Sequence, residues 1–123
     1  MDMYREVILD HYKHPHHFGA VPKNNAKATL YNTSCGDTIT MELILDKKTK
    51  KIITIGFLGN GCAISMASAS MLTDVLIGKS IAAAERMKTK DIIKMLGTSL
   101  TPSRVKCAVL PLEVIQKAIG NTV

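Results

Sequence analysis

The chain has 123 residues, 46% of them apolar, which is typical of one compact domain spanning residues 1–123 and not of a disordered tail. The net charge of +6 is spread along the chain, and an aromatic content of 4% without tryptophan leaves few rings for nucleic-acid bases to stack on, so we expect no nucleic-acid partner. Residues 1–10 lack a signal-peptide core and no apolar run approaches the roughly 20 residues of a membrane span, so we expect a cytoplasmic protein without a membrane partner.

The first half of the chain predicts one helix and then three strands. Residues Met3 to Lys13 carry apolar and aromatic side chains three and four positions apart, which predicts an amphipathic helix that ends before Pro15. The face so defined comprises Tyr4, Val7, Ile8, His11 and Tyr12. After a loop over 21–27, strands are predicted at 28–32, 38–45 and 52–58, and the lysine-rich run 47–51 is expected to form the turn of an antiparallel hairpin.

The second half predicts helices only. A helix over 63–77 follows the Gly59-Asn60-Gly61 break, with Gly78 as its C′ residue. Ser80 is expected to cap a short helix through Met87, and Thr89 a second one through Leu96, ended by Gly97. A final helix runs to about Ile119. Because a proline inside a helix costs about 3 kcal/mol, Pro111 predicts that this helix begins near residues 107–110.

The three cysteines are the strongest candidates for chemistry. An odd number argues against a secreted disulfide framework. Cys62 and Cys107 are both predicted at helix N-termini, where the thiolate is favoured. Cys35 lies in a turn beside Gly36, from which Asp37 can face the same ion. Three thiolates and a carboxylate suit tetrahedral zinc or an iron–sulfur cluster, but the chain has no CxxC pair, so three independent thiols remain an alternative.

The histidines are weaker candidates. The segment Lys13 to His17 contains three of them, but it lacks helical spacing and follows a helix stop. We therefore interpret it as a polar loop, and we expect His11 to be packed against the protein interior on the apolar side of the first helix.

Several of these segments together resemble the iron–sulfur cluster assembly scaffold family, which comprises IscU, SufU and the N-terminal domain of NifU. They occur in the order found in the family and cover nearly the whole chain. The matching segments are 4–12 (YREVILDHY), 34–37 (SCGD), 59–65 with 67–70 (GNGCAIS and ASAS), and 104–108 (RVKCA).

This resemblance implies an α+β fold in which a three-stranded antiparallel sheet is packed against several helices. It also implies that Cys35, Cys62, Cys107 and Asp37 meet at one exposed end and bind the metal or cluster. Members of the family receive persulfide sulfur from a cysteine desulfurase, combine it with iron, and pass a cluster to apo-proteins. They bind zinc when no cluster is present.

Two functions remain open on this resemblance. In a scaffold, the four residues would ligate a transient [2Fe–2S] cluster; in a zinc-dependent sulfurtransferase of the SufU type, they would bind Zn²⁺, and Cys35 would accept the persulfide. Arg104 and Lys106 would assist by holding the thiolate or the desulfurase. Lys106 stands where the IscU branch carries a histidine, which favours SufU, yet the extra segment of roughly twenty residues that SufU-like proteins carry is absent.

A third possibility is a protein of a different class, namely an interaction module in which a bound metal ion only stabilises the fold.

Overall fold

The computed structural model describes residues 3–33 and 36–122. Three strands and five helices follow one another along these residues. Their bounds are α1 Met3–Lys13, β1 Ala26–Asn32, β2 Asp37–Asp46, β3 Lys51–Asn60, α2 Ala63–Leu76, α3 Ile81–Arg86, α4 Thr89–Leu96 and α5 Pro102–Thr122. The predicted α+β class is therefore confirmed, with α1 as predicted and each strand extended by one to two residues at one or both ends.

The three strands form an antiparallel sheet in the order β1-β2-β3. The apolar alternation of the central strand places Ile39, Met41 and Leu43 on one face, where all three are fully buried. Residues 47–50 connect β2 to β3, and the side chain of Asp46 accepts a hydrogen bond from the backbone N–H of Lys48 at 2.9 Å. The lysine-rich run is therefore the hairpin turn that the sequence predicts.

Helices α2 and α5 form the layer that covers this buried face. Helix α5 packs on β1 and β2, while α2 packs between α1 and α5. Leu72 and Leu76 of α2 and Val114 and Ile115 of α5 are 0–1% exposed, so the core lies between the helix layer and the sheet.

Local signals determine where the middle helices begin and end. The Ser80 hydroxyl accepts a hydrogen bond from the Ala83 N–H at 3.0 Å, as an N-cap does. Gly78 and Gly97 have φ angles of +86° and +73°, conformations that glycine adopts without a Cβ penalty. These ends agree with the sequence, except that Lys88, not Thr89, is the N-cap residue of α4.

The predicted start of the last helix is wrong. Helix α5 begins at Pro102, a proline at the first helical position, and continues through Pro111. The turns before this proline bury side chains as well as those after it, since Cys107 and Ala108 are 1% and 0% exposed and Leu112 is 2% exposed. A large apolar side chain contributes about 1.5–3 kcal/mol when buried, so burial on both sides of Pro111 offsets the roughly 3 kcal/mol that an internal proline costs.

Helix α2 also contacts the turn of α5 that precedes Pro111. Proline has no N–H to donate to the carbonyl four residues earlier, which disturbs the hydrogen bonding of that turn. In the same turn, the buried hydroxyl of Ser68 donates a hydrogen bond to the carbonyl of Ala108 at 2.6 Å. Because α5 begins at Pro102, Cys107 lies in its second turn and not at a helix N-terminus.

Helix α1 buries less of its apolar face than its pattern predicts. Ile8 is 6% exposed, but Val7 and Tyr12 are 43% and 44% exposed. His11 is partly buried against α2, in agreement with its predicted position. Among the helices of the described residues, none has the length and apolar character needed to cross a membrane.

Candidate metal and cluster site

Asp37 is a buried carboxylate at the first position of β2, where it pairs with Asn32 of β1. Its side chain is held in place by the start of α2, because Asp37 Oδ1 accepts a hydrogen bond from the backbone N–H of Cys62 at 3.0 Å. Only 2% of the residue is exposed. A carboxylate at this depth is stable only with such partners, so its orientation is set by the fold.

Cys62 is the N-cap residue of α2, as the sequence predicts. Its thiol lies 3.8 Å from Asp37 Oδ2 and 3.8 Å from the Ser65 hydroxyl, and it is partly exposed. Cys62 therefore combines access from solvent with an environment suited to a metal ligand.

Cys107 approaches the same point from α5 and is 1% exposed. The amide of Asn32, at the end of β1, donates a hydrogen bond to Cys107 Sγ at 3.9 Å. Since Asn32 pairs with Asp37 in the sheet, one pair of sheet residues contributes contacts to both cysteines.

The ligand atoms of Asp37, Cys62 and Cys107 all lie within 4.8 Å of one another. A tetrahedral zinc ion with Zn–S and Zn–O bonds of about 2.0–2.3 Å requires ligand atoms roughly 3.5–3.8 Å apart. The observed separation of 3.8 Å between Cys62 Sγ and Asp37 Oδ2 meets this requirement. Two sulfurs and one oxygen are also donors that zinc accepts, so these residues fit the metal that the sequence suggests.

Cys35, the fourth predicted ligand, lies outside the described residues, as does Ser34. Its neighbour Gly36 has a φ of +72° and donates its N–H to the carbonyl of Asn32 at 2.8 Å. Gly36 and Asp37, which follow Cys35 in the sequence, thus lie at the β1–β2 end of the sheet. Its role as a ligand and persulfide acceptor stays a prediction.

Arg104 and Lys106, predicted to assist the chemistry, are both exposed on the first two turns of α5. Arg104 borders a groove of about 320 Å³ that also contacts Ala63, the residue after Cys62. Lys106 borders a cleft of about 470 Å³ that contacts Asn32 and Thr33 at the end of β1. The two cations therefore flank the cysteine end on different sides.

Two glycines allow the site to be this compact. A Cβ at Gly61 would collide with the Ser65 hydroxyl and would lie 3.2 Å from Asp37 Oδ1. Gly59 has a φ of +138°, and a Cβ there would collide with the carbonyl oxygen of Thr38. The break between β3 and α2 thus brings the backbone of Cys62 within hydrogen-bonding distance of Asp37.

A second group of side chains that could bind a metal ion was not predicted from the sequence. His11, His16 and Asp74 have ligand atoms within 4.8 Å of one another, at the opposite end of α2. Burial lowers the pKa of His11 below its usual value, and the nearby His16 adds to this effect. The short spacing between His11 and His16 could have indicated a pair of ligands. Asp74 could not be added to them from the sequence, because it is 58 positions from His16.

Comparison with known proteins places these features in a family. Residues 3–122 match the family model described as the NifU-like N-terminal domain. The "Zinc-dependent sulfurtransferase SufU" of Bacillus subtilis (strain 168) is 35% identical, with 97% of this chain and 90% of that protein covered. The alignment spans 136 positions, more than the 123 residues here, so that protein has residues without a counterpart in this chain.

Two further proteins are similar over most of their length. The "Iron-sulfur cluster assembly scaffold protein IscU" of Streptococcus pyogenes serotype M1 is 35% identical, with 98% of this chain and 84% of that protein covered. The crystal structure of FiSufU, described as a Suf-system cluster assembly scaffold from Fervidobacterium islandicum AW-1, has a TM-score of 0.76 and 29% identity. The structural match covers 93% of this chain and 94% of the FiSufU chain. The chain therefore belongs to the NifU-like N-terminal domain family of iron–sulfur cluster assembly scaffolds.

Proposed function

We propose that this protein, acting as a single domain in the cytoplasm, accepts sulfur from a cysteine desulfurase, builds a transient [2Fe–2S] cluster and passes it to apo-proteins. The observation that carries this proposal is the convergence of Asp37, Cys62 and Cys107, whose ligand atoms lie within 4.8 Å of one another. Together with Cys35 they supply four ligands, the number needed for a [2Fe–2S] cluster.

The sulfur transfer requires one accessible thiolate. The Cys35 thiolate attacks the outer sulfur of the desulfurase persulfide, a new S–S bond forms at Cys35, and the desulfurase cysteine leaves as a thiolate. Cys107, at 1% exposure, is poorly accessible to a partner protein, and the resemblance to the family assigns the step to Cys35. Arg104 and Lys106 are exposed cations beside the site, so they can attract acidic groups of the desulfurase and stabilise the thiolate.

The cluster is the cargo of this protein. Two transferred sulfurs must gain four electrons to become two sulfides; two Fe²⁺ ions supply two of them by oxidation to Fe³⁺, and an external dithiol supplies the other two as it is oxidised to a disulfide. Two iron ions then bind two sulfides and the four protein ligands. Asp37 is a hard oxygen ligand among soft sulfurs, so it weakens the hold on one iron and makes the cluster easier to release.

A second function, zinc-dependent sulfur relay, is supported by one geometric observation. The 3.8 Å between Cys62 Sγ and Asp37 Oδ2 suits tetrahedral zinc, and the Bacillus subtilis relative carries the name of a zinc-dependent sulfurtransferase. Bound zinc would stabilise the thiolate form of its cysteine ligands. In this alternative, Cys35 performs the same persulfide exchange and no cluster is built.

Two measurements on the full chain distinguish these functions. The protein is first purified with and without oxygen and its metals are quantified. It is then incubated anaerobically with a cysteine desulfurase, cysteine, Fe²⁺ and a dithiol, and absorbance and Mössbauer spectra are followed before apo-ferredoxin is added. If [2Fe–2S] signals form on this protein and then appear on the ferredoxin, the scaffold function is supported.

The opposite outcome supports the relay. Stoichiometric zinc, a desulfurase rate that rises when the protein is added, and no cluster spectrum would overturn the scaffold proposal. If metal removal unfolds the protein while the desulfurase rate never changes, both functions fail and only a metal-stabilised interaction module remains. Cys35→Ser is the informative variant, and Lys47→Ala in the exposed hairpin turn is its control.

A further inference from the structure

The second ligand cluster lies where the end of α1 and the turn after it meet α2. His11 belongs to α1, His16 and His17 follow Pro15, and Asp74 lies near the C-terminal end of α2. His16 Nδ1 is 2.5 Å from Asp74 Oδ2, and the rings of His11 and His16 have centroids 4.5 Å apart. His16 and Asp74 are thus joined by a direct hydrogen bond beside the His11 ring, and an ion bound by both side chains would replace that hydrogen bond.

Ser70 of α2 orients both imidazole-bearing residues. Its fully buried hydroxyl lies 2.7 Å from His11 Nδ1 and accepts a hydrogen bond from the backbone N–H of His16 at 2.7 Å. If His11 also donates its Nδ1–H to this oxygen, Nε2 keeps a lone pair for a metal ion. Hydrogen bonds of this kind commonly orient metal-binding histidines.

The backbone of the turn is held independently of these side chains. His17 has a φ of +60°, in the left-handed region, and its carbonyl accepts a hydrogen bond from the Phe57 N–H at 3.0 Å. The turn is thereby attached to β3. His17 Nδ1 lies 3.0 Å from the Thr73 hydroxyl and 3.5 Å from Asp74 Oδ1, so it supports the carboxylate from a second side.

We propose that His11, His16 and Asp74 form a second metal site that binds one divalent transition ion of the Fe²⁺ or Zn²⁺ class. Imidazole and carboxylate are donors that these ions accept, and two histidines with one carboxylate are a known ligand set for Fe²⁺. The side chains of His16 and Asp74 are 47% and 40% exposed, so water can complete the coordination.

This site is separate from the cysteine end. Cys62 caps the N-terminus of α2, and Asp74 lies twelve residues further along the same helix, which is about 18 Å at 1.5 Å per residue. One ion cannot reach both groups. The donors also differ, because the cysteine end contains soft sulfurs and the second site contains only nitrogen and oxygen.

The test is a zinc titration of the full chain, followed by calorimetry and by NMR of the histidine side chains. We expect a second equivalent of Zn²⁺ in addition to any bound by the cysteines, and its binding should shift the ring signals of His11 and His16. His16→Ala and Asp74→Asn should each weaken that second equivalent at least tenfold and leave the binding at the cysteines unchanged.

The matched control is His14→Ala, which removes an exposed histidine from the same turn but not from the cluster. It should retain the second equivalent. No additional zinc in the wild-type chain, or equal weakening by His14→Ala and His16→Ala, would overturn the proposal. Circular dichroism of each variant verifies the fold. The result is independent of the scaffold function, because the cluster would bind its ion even if the cysteines bound none.

Discussion

The two ends of helix α2 contain two different groups of ligands. At the N-terminal end, Cys62 meets Asp37 and Cys107, of which the last two are 2% and 1% exposed. Near the C-terminal end, Asp74 meets His11 and His16 at the protein surface. The difference teaches that one helix can carry thiol groups in a largely buried setting at one end and contribute to a cluster of exposed nitrogen and oxygen groups at the other.

The largest expected effect concerns the cysteine end. Cys62→Ser replaces a partly exposed thiol with a hydroxyl of similar shape, so the fold should persist, but one soft ligand is lost. We expect zinc affinity at this end to fall by about 100-fold or more. Removing a direct ligand should lower affinity more than changing an outer-shell residue, which typically costs about 10- to 100-fold. Competition with a chelator measures it. The second site should be unaffected, and unchanged affinity at the cysteine end would contradict the assignment.

Substitution of Asp37 tests whether its carboxylate makes the cluster easier to release. Asp37→Ala should slow cluster transfer to apo-ferredoxin by about tenfold, because a hard ligand that favours release is removed. Stopped-flow absorbance of the acceptor gives the rate.

Asp37→Asn is the matched variant for this measurement, because its amide oxygen can still accept the Cys62 N–H. If both variants transfer the cluster at the wild-type rate, the carboxylate has no part in release. If only the alanine variant is affected, the hydrogen bond to Cys62 is responsible, not the charge.

Substitutions of two glycines, one next to each end of α2, compare the two ends directly. Gly61→Ala would press a methyl group against Ser65 and Asp37, so we expect metal affinity at the cysteine end to fall by up to about tenfold. Gly78→Ala meets open space, but its φ is +86°, so we expect a loss of about 1 kcal/mol in unfolding free energy with metal binding unchanged.

Chemical denaturation and zinc competition on both glycine variants separate the two effects. Equal metal affinities in Gly61→Ala and Gly78→Ala would show that the space around Gly61 does not shape the site.

The smallest effect is expected from the cations on α5. Arg104→Ala and Lys106→Ala should each lower the rate of sulfur acceptance from the desulfurase by about two- to fivefold, the equivalent of an exposed ion pair of up to 1 kcal/mol. Metal affinity should not change. Lys117→Ala, an exposed lysine further along the same helix, is the control. A rate that falls equally in all three variants would indicate a general charge effect.

The sequence predicted much of the fold because many of its signals are local. The alternation of Ile39, Met41 and Leu43 identified the central strand, since side chains of a strand point alternately to two faces. Ser80 and Gly97 marked helix ends because a cap acts on the residues next to it. Pro111 misled the prediction of α5, because its local cost is smaller than the burial that the whole helix gains.

The residue types in the sequence suggested a shared site of Cys35, Asp37, Cys62 and Cys107 but left three independent thiols open, and the resemblance to a family favoured the shared site. The tertiary structure decided how Asp37, Cys62 and Cys107 meet. Asp37 and Cys62 are 25 positions apart, and Asn32 and Cys107 are 75, so only the packing of the sheet with α2 and α5 brings them together. The cluster of His11, His16 and Asp74 was decided by tertiary structure alone, because the turn after α1 packs against the far end of α2, and no local pattern encodes a contact across 58 positions.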